Sequence, residues 1–221
     1  MEPLTRRLAW LSLFAVTMAY LEAAVVAYLR ALYYPDGFEF PLVIIVDRMA
    51  AIEIAREAAT ILMLLAVCAL AGAGPWQRFA CFSFTFGVWD IFYYVWLYVL
   101  LGWPPSLLTT DVLFLIPAPW IGPVLAPLLV SVSLIAAALV ILSLDRRGAR
   151  FELAAPAWIP AIAGGALVLL AFMIDFRPVL RGELPPPFRW WLFGAGIGLG
   201  WAGLLFGVRR TAAGRRSGTG G

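Results

Sequence analysis

Five ionisable residues lie inside stretches of sequence that are otherwise apolar enough to cross a membrane: Glu22, Glu53, Arg56, Glu57 and Asp90. A charge at the centre of a bilayer costs at least about 2.5–3.5 kcal/mol, so such residues need partners, water or a function. Four of the five are carboxylates and only one is a guanidinium group, so protons, a bound cation or water must compensate the negative charge. The set predicts a shared intramembrane charge cluster, whether it holds helices together or serves as a site for a proton, cation or solute.

The spacing of these residues brings them toward one place. On a helix, Arg56 and Glu57 lie three and four residues after Glu53, so the three side chains share one face. Measured from the same end of the predicted bundle, this face lies roughly 6–12 Å deep, Glu22 roughly 10 Å deep and Asp90 roughly 16 Å deep. We therefore expect carboxylates from three helices to meet in one half of the membrane.

Three interpretations of this cluster stay open. In the first, the carboxylates and Arg56 form a proton or cation pathway, or a pocket for a cationic solute. In the second, Glu22, Glu53 or Glu57 clamps Arg56 in a structural network, and the remaining carboxylates are protonated. In the third, paired carboxylates catalyse a reaction in an outward-facing cavity.

Three further residues are predicted to belong to the site. Tyr93 and Tyr94 follow Asp90 by about one helical turn, where either their hydroxyl groups bond to carboxylates or their rings simply pack. Asp111, in the connection after the third apolar run, is expected at the mouth of the same cavity. No catalytic role is assigned to any of these residues, and we expect no metal site among them.

The elements that must hold these residues are membrane helices. The 221-residue chain is 63% hydrophobic and 13% charged, with a mean hydropathy of +0.93, which is far too apolar for a soluble domain. About 20 apolar residues of helix span the hydrocarbon core of a bilayer. Six runs are long enough: about 8–29, 49–72, 79–101, 119–143, 157–174 and 190–208. The sequence therefore predicts an all-α, polytopic integral membrane protein with a bundle of six transmembrane helices.

The connection between the third and fourth spans, 102–123, is too apolar for an aqueous loop and too short to cross the membrane. We expect a re-entrant or interfacial half-helix there, capped near 109–111. Pro119, Pro123 and Pro127 recur every four residues. They indicate either a broken helix whose freed carbonyl groups line a cavity, or an intact span 4 whose first turn contains Pro119 and Pro123.

One membrane domain is predicted over 1–208. Every deep charge falls in the first three spans, so 1–144 is expected to be a site-bearing part with four helices and 156–208 a supporting helical hairpin. Residues 209–221 are rich in arginine and glycine, which predicts a disordered, basic cytoplasmic tail.

Glycines are concentrated in the last two spans. Four of them alternate along 194–200 in span 6, and Gly164 and Gly165 lie in span 5. Small residues four apart let membrane helices approach closely. The pattern predicts close packing between spans 5 and 6.

Arginines outside the spans indicate the orientation. Five lie at one end of the predicted bundle, and ten lie at the end that carries both termini: Arg6, Arg7, Arg78, Arg146, Arg147, Arg150, Arg209, Arg210, Arg215 and Arg216. Arginine-rich loops remain on the cytoplasmic side of a membrane. We therefore expect cytoplasmic termini and a location in the cell membrane, specifically the cytoplasmic membrane of a prokaryote.

Histidine is absent from the chain, although it is the commonest metal ligand and proton shuttle near neutral pH. This absence excludes histidine-ligated haem, histidine-ligated zinc or copper, and Ser-His-Asp catalysis, and we expect no cofactor. No nucleic-acid-binding module accompanies the basic tail, so nucleic acid is not an expected partner. The expected partners are the lipid bilayer, a proton, cation or small solute, and other membrane proteins.

Three functional hypotheses follow. The first is a membrane protein whose outward-facing carboxylate and arginine site binds or translocates a proton, cation or small solute. The second is a non-catalytic subunit or assembly factor of a larger membrane complex, in which the charges clamp helices together. The third is a membrane-embedded enzyme that uses paired carboxylates, which is the least favoured because no P-loop, zinc signature or nucleophile elbow is present.

Overall fold

The computed structural model describes residues 4–42, 48–148, 151, 153 and 155–217. Its elements in chain order are α1 (Leu4–Tyr33), α2 (Arg48–Ala71), α3 (Pro75–Leu101), β1 (Thr110–Phe114), β2 (Trp120–Pro123), α4 (Leu125–Arg146), α5 (Ala155–Met173), α6 (Phe176–Leu180) and α7 (Trp190–Ser217). Within the described residues, six helical segments are long and apolar enough to cross a membrane. The predicted all-α membrane protein with six spanning helices is confirmed.

Local sequence explains where α3 begins and ends. Gly74 precedes the helix in an extended conformation and Pro75 is its first residue, a position where the missing amide hydrogen of proline costs nothing. Gly102 closes the helix in the left-handed conformation at φ 64°, and its N–H donates to the carbonyl oxygen of Tyr98. A glycine takes this conformation without the steric cost of a Cβ atom. These signals fix the length of the helix that carries Asp90.

The spanning helices alternate in direction, so the bundle has two ends. We call the end that carries the connections after α1, α3 and α5 the hairpin end, because β1 and β2 lie there. The other end, which carries the start of α1 and the connections after α2 and α4, is the terminal end.

The connection between α3 and α4 is a β-hairpin, which corrects the half-helix predicted for it. β1 and β2 pair antiparallel, with Asp111 opposite Gly122. The segment 110–116 contains threonine, valine, isoleucine and phenylalanine, which favour strands. Pro117 then disfavours helix in the residue before it. These strand preferences outweigh the helix-capping residues at 109–111, which indicated the start of a helix.

The three prolines spaced four residues apart lie in different places. Pro119 directly precedes β2, Pro123 is the last residue of β2, and Pro127 lies in the first turn of α4. Because β2 occupies 120–123, α4 begins at Leu125 rather than near residue 119. Pro119 and Pro123 therefore border a strand, and Pro127 lies in the first turn of a helix, where proline is tolerated.

α3 lies between α1 and α4 at the centre of the bundle, and α2 packs chiefly against α3. Gly87 lets α4 approach α3 closely, because a Cβ atom there would lie 2.7 Å from the carbonyl oxygen of Ser131. The close approach brings Ser131 next to the part of α3 that carries Asp90.

α5 packs mainly against α7, through the glycines predicted to bring these helices together. A Cβ atom on Gly164 would lie 2.5 Å from the backbone nitrogen of Gly200 and 2.6 Å from the carbonyl oxygen of Gly196. The predicted close packing is confirmed. The pair formed by α5 and α7 contacts the rest of the protein mainly through β2 and α4, and the division into 1–144 and 156–208 stays a prediction.

The C-terminal segment differs from the predicted disordered tail over part of its length. α7 continues as a helix to Ser217, because a helix that is already formed extends more easily than a new one nucleates. Residues 218–221, which also belong to the predicted tail, lie outside the described residues.

Candidate functional site

A cavity of about 530 Å³ lies at the hairpin end, among α1, α2, α3, the β-hairpin and α6. We call it the main cavity. All eight site residues predicted from the sequence line it: Glu22, Glu53, Arg56, Glu57, Asp90, Tyr93, Tyr94 and Asp111. Three helices and the β-hairpin thus bring these residues to one cavity, and what that cavity does stays a prediction.

Four polar side chains, which we call the Arg56 cluster, join α1 to α2: Glu22, Glu53, Arg56 and Thr60. The Nε atom of Arg56 donates to Oε2 of Glu53 at 2.9 Å, and its Nη1 atom pairs with Oε2 of Glu22. The Thr60 hydroxyl donates to the other carboxylate oxygen of Glu22. Glu22, Glu53 and Thr60 are buried, and the Arg56 side chain is 21% exposed. Two of the three carboxylates predicted to clamp Arg56 therefore do so.

A second group, the Arg30 cluster, joins α1, α3 and the hairpin: Arg30, Phe38, Tyr94, Trp103 and Asp111. Nη2 of Arg30 lies 3.2 Å from Oδ1 of Asp111, and the Tyr94 hydroxyl donates to Oδ2 at 3.3 Å. The guanidinium carbon lies 3.7 Å from the ring centroid of Trp103 and 4.3 Å from that of Phe38. Aromatic faces attract a cation, so the rings and Asp111 together hold Arg30 at the cavity wall.

Two carboxylates of the main cavity, Glu57 and Asp90, accept hydrogen bonds from neutral donors. The backbone N–H of Leu115 donates to Oε2 of Glu57 at 2.8 Å, which ties α2 to the end of β1. The Ser131 hydroxyl donates to Oδ2 of Asp90 at 2.7 Å, which ties α3 to α4. In the part of the chain that the structure describes, neither carboxylate has an arginine within ion-pair distance. A proton or a bound cation would supply the missing positive charge.

The carboxyl group of Asp111 titrates near neutral pH. Burial raises the pKa of Asp111 to about 6, although Arg30, the backbone N–H of Val112 and the Tyr94 hydroxyl all lower it. Only 2% of the residue is exposed, and removing a carboxylate from water disfavours its charged form. The Arg30–Asp111 ion pair is therefore complete well above about pH 6 and is lost below it.

Negative charge exceeds positive charge in the main cavity. Five carboxylates and two guanidinium groups line it, a formal charge of −3 if all are ionised. Among residues 4–42, 48–148 and 155–217, no three carboxylate or thiol groups come close enough together to hold a metal ion. The negative charge is spread around the wall, which suits a ligand larger than a metal ion.

Tyr93 and Tyr94 have different environments. One bonds to a carboxylate through its hydroxyl group and the other packs by its ring, which are the two alternatives that the sequence left open. Tyr94 bonds to a carboxylate, but its partner is Asp111 and not Asp90. Tyr93 packs by its ring, with centroid distances of 6.3 Å to Trp89 and 5.1 Å to Tyr94.

Arg30 and Ser131 contact site carboxylates, although neither is among the residues predicted from the sequence. The first predicted span ends at about residue 29, which places Arg30 in a loop, but α1 continues to Tyr33. The signal for Arg30 is its spacing, because it lies about two helical turns after Glu22 and on the same face. The sequence offers no comparable signal for Ser131, since its contact with Asp90 depends on how α4 packs against α3.

Toward the terminal end the main cavity is closed by a packed apolar layer. Ala15, Met18, Leu64 and Trp89 are buried in one cluster below the charged groups, on α1, α2 and α3. Any path from the main cavity toward the terminal end would therefore require these helices to move apart.

No protein-family model, curated protein or solved structure matches this chain. A functional assignment must therefore come from the geometry and charge of the main cavity itself.

Proposed function

We propose that the main cavity binds a small organic solute that carries a positive charge. One observation carries the proposal, namely that Glu57 and Asp90 line the cavity and that neither has an arginine within ion-pair distance among the described residues. An unpaired charge is costly away from water. A cationic group in the cavity would compensate it and would be held strongly, because charges attract more at low dielectric.

Size and wall chemistry favour an organic cation over a metal ion or a proton alone. The volume of about 530 Å³ lies in the range of about 300–1,000 Å³ that is typical of small-molecule sites. The rings of Tyr93, Tyr94 and Phe114 contribute to the wall, and aromatic faces attract ammonium groups. A proton needs no such space, and a metal ion would need carboxylates gathered in one spot.

The orientation of the protein is part of the proposal. The excess of arginine at the terminal end supports a cytoplasmic location for that end. The hairpin end would then face outward, in the cytoplasmic membrane of a prokaryote, and the solute would enter from outside the cell. Translocation would be a further step, because it needs the apolar layer below the cavity to open.

Isothermal titration of the purified protein with choline tests the proposal. We expect wild-type protein to bind choline and the Glu57→Gln variant to bind it about tenfold more weakly, a loss of about 1.4 kcal/mol. The matched control is Glu183→Gln, since Glu183 pairs with Arg181 in an exposed ion pair outside the cavity. This control should bind choline as wild type does.

The same titration distinguishes solute binding from a second candidate function, that of a non-catalytic subunit of a larger membrane complex. The Arg56 cluster connects α1 to α2, as expected if the charges only hold helices together in a non-catalytic subunit of a larger membrane complex. In that case wild-type protein would not bind choline, Glu22→Gln would lower the thermal midpoint, and a partner protein would co-purify in stoichiometric amount under mild detergent.

A further inference from the structure

A second cavity, of about 480 Å³, lies between α3, α4, α5 and α7. We propose that it holds one acyl chain of a membrane phospholipid, with the ester carbonyl of that chain at Trp120. The proposal concerns this apolar cavity alone and does not depend on solute binding in the main cavity.

The second cavity is elongated along the helices. Its lining extends from Pro127 to Ile141 on α4 and from Trp76 to Asp90 on α3. Fourteen residues of helix correspond to about 21 Å in both cases. One leaflet of the hydrocarbon core is about 15 Å thick, so the cavity is long enough to take an extended chain that starts near the membrane surface.

The wall of the second cavity is apolar and its side-chain polar groups are mostly paired. Among the described residues that line it, Asp90 is the only charged one, and it already accepts the Ser131 hydroxyl. The indole N–H of Trp201 donates to the Ser133 hydroxyl at 3.3 Å. An occupant therefore needs an apolar body and few polar atoms.

Two donors in this wall have no partner. The Nε1 atoms of Trp120 and Trp89 are buried and lack a hydrogen-bond acceptor in the described part of the chain. A buried donor left unpaired costs about 1–3 kcal/mol. The occupant must then bring an acceptor and needs no donor, which is the chemistry of an ester carbonyl.

Trp120 is positioned to meet such a carbonyl. It begins β2 at the hairpin end, and its ring stacks on Phe172 with centroids 5.9 Å apart and planes 7° apart. Carbonyl groups of phospholipids lie at the membrane surface, while their chains extend inward. With its carbonyl at Trp120, the chain would extend past the glycines of α5 and α7 toward the terminal end. Trp89 lines both cavities and lies deeper, at their boundary.

Photo-crosslinking in vesicles tests whether the cavity is occupied. The full chain is reconstituted in phosphatidylethanolamine and phosphatidylglycerol with a phospholipid that carries a diazirine in one acyl chain. We expect labels on the lining residues Leu134 and Val168, and Gly200→Leu should reduce them about fivefold by filling the cavity. A Cβ atom at Gly200 meets nothing within 4 Å, so the added side chain starts in open space.

Two further variants serve as the matched control and as a replacement for Gly200→Leu. Gly198→Leu is the matched control on the same helix, because Gly198 also has open space at its Cβ position but does not line the cavity. Gly165→Leu fills the cavity from α5 and replaces Gly200→Leu if that variant does not fold. The proposal is overturned if Leu134 and Val168 stay unlabelled while the exposed Leu62 and Leu70 are labelled. It is equally overturned if a folded cavity-filling variant is labelled like the control.

Comparison of ester-linked with ether-linked phospholipid tests the role of Trp120. An ether lipid has the same chains but lacks the carbonyl acceptor, so wild-type protein should retain the ester lipid about fivefold better through purification, the worth of about one hydrogen bond. Trp120→Phe keeps the ring and removes the donor, and this preference should disappear. Equal retention of the two lipids by wild-type protein would contradict the assignment of the carbonyl to Trp120.

Discussion

At the scale of single residues, Asp111 links ionisation to the structure of the cavity wall. Its carboxylate contacts Arg30 on α1 and Tyr94 on α3. The carboxylate of Asp90 is close enough to interact electrostatically with that of Asp111. Burial keeps its pKa near 6 in spite of Arg30. The free-energy cost of burying the charged carboxylate thus exceeds the stabilisation that Arg30 and the hydrogen-bond donors give it.

The raised pKa of Asp111 predicts how stability depends on pH. Because the folded pKa of about 6 exceeds the ordinary value of about 3.9, the folded state holds this proton more tightly, and stability falls as pH rises from about 4 to about 6. The difference corresponds to about 3 kcal/mol. Asp111→Asn cannot titrate, so its thermal midpoint should rise relative to wild type over this pH range. Parallel pH profiles for the two proteins would refute the assignment.

Single residues were predictable from sequence where helical spacing alone determines their position. Glu53, Arg56 and Glu57 share a face in any helix, and a charge in an apolar run must face the protein interior. Pairings that join different elements were not predictable. Which carboxylate binds Arg56 does not follow from the sequence, because the choice between Glu22 and Glu57 depends on how α1 packs against α2.

At the scale of elements, the β-hairpin contributes one side chain and one backbone donor to the site. It supplies Asp111 to the Arg30 cluster, and it supplies the backbone N–H of Leu115 to Glu57. The sequence predicted an apolar, proline-bordered segment that brings Asp111 to the mouth of the cavity. It did not predict strands, because a short apolar run is compatible with helix or strand until its pairing partner is known.

The contact between α5 and α7 predicts opposite effects for neighbouring glycines. Gly164→Ala should lower the thermal midpoint, because its Cβ would lie 2.5 Å from the backbone nitrogen of Gly200, an overpacking that costs about 1–3 kcal/mol. Gly165→Ala should leave the midpoint unchanged or raise it, since its Cβ meets nothing and alanine favours helix by about 0.5–1 kcal/mol. Equal midpoints for the two variants would show that the helices are not in close contact.

At the scale of the whole molecule, charge and apolar surface are separated. The carboxylates and both deep arginines surround the main cavity at the hairpin end, and the second cavity is apolar along its length. Asp90 and Trp89 lie at the boundary between the two. Composition predicted the membrane helices and the charged site. The second cavity was not predicted, because it depends on how the pair formed by α5 and α7 packs against α4.

The central claim is that the main cavity selects its ligand by positive charge. The most direct test is calorimetric titration of wild-type protein with choline and with dimethylbutanol, in which a carbon atom replaces the charged nitrogen and the shape is kept. Because Glu57 and Asp90 have no ion-pair partner in the described part of the protein, we expect choline to bind at least about tenfold more tightly than dimethylbutanol, a difference of about 1.4 kcal/mol. Equal affinity for the two compounds, or tighter binding of dimethylbutanol, would contradict the account.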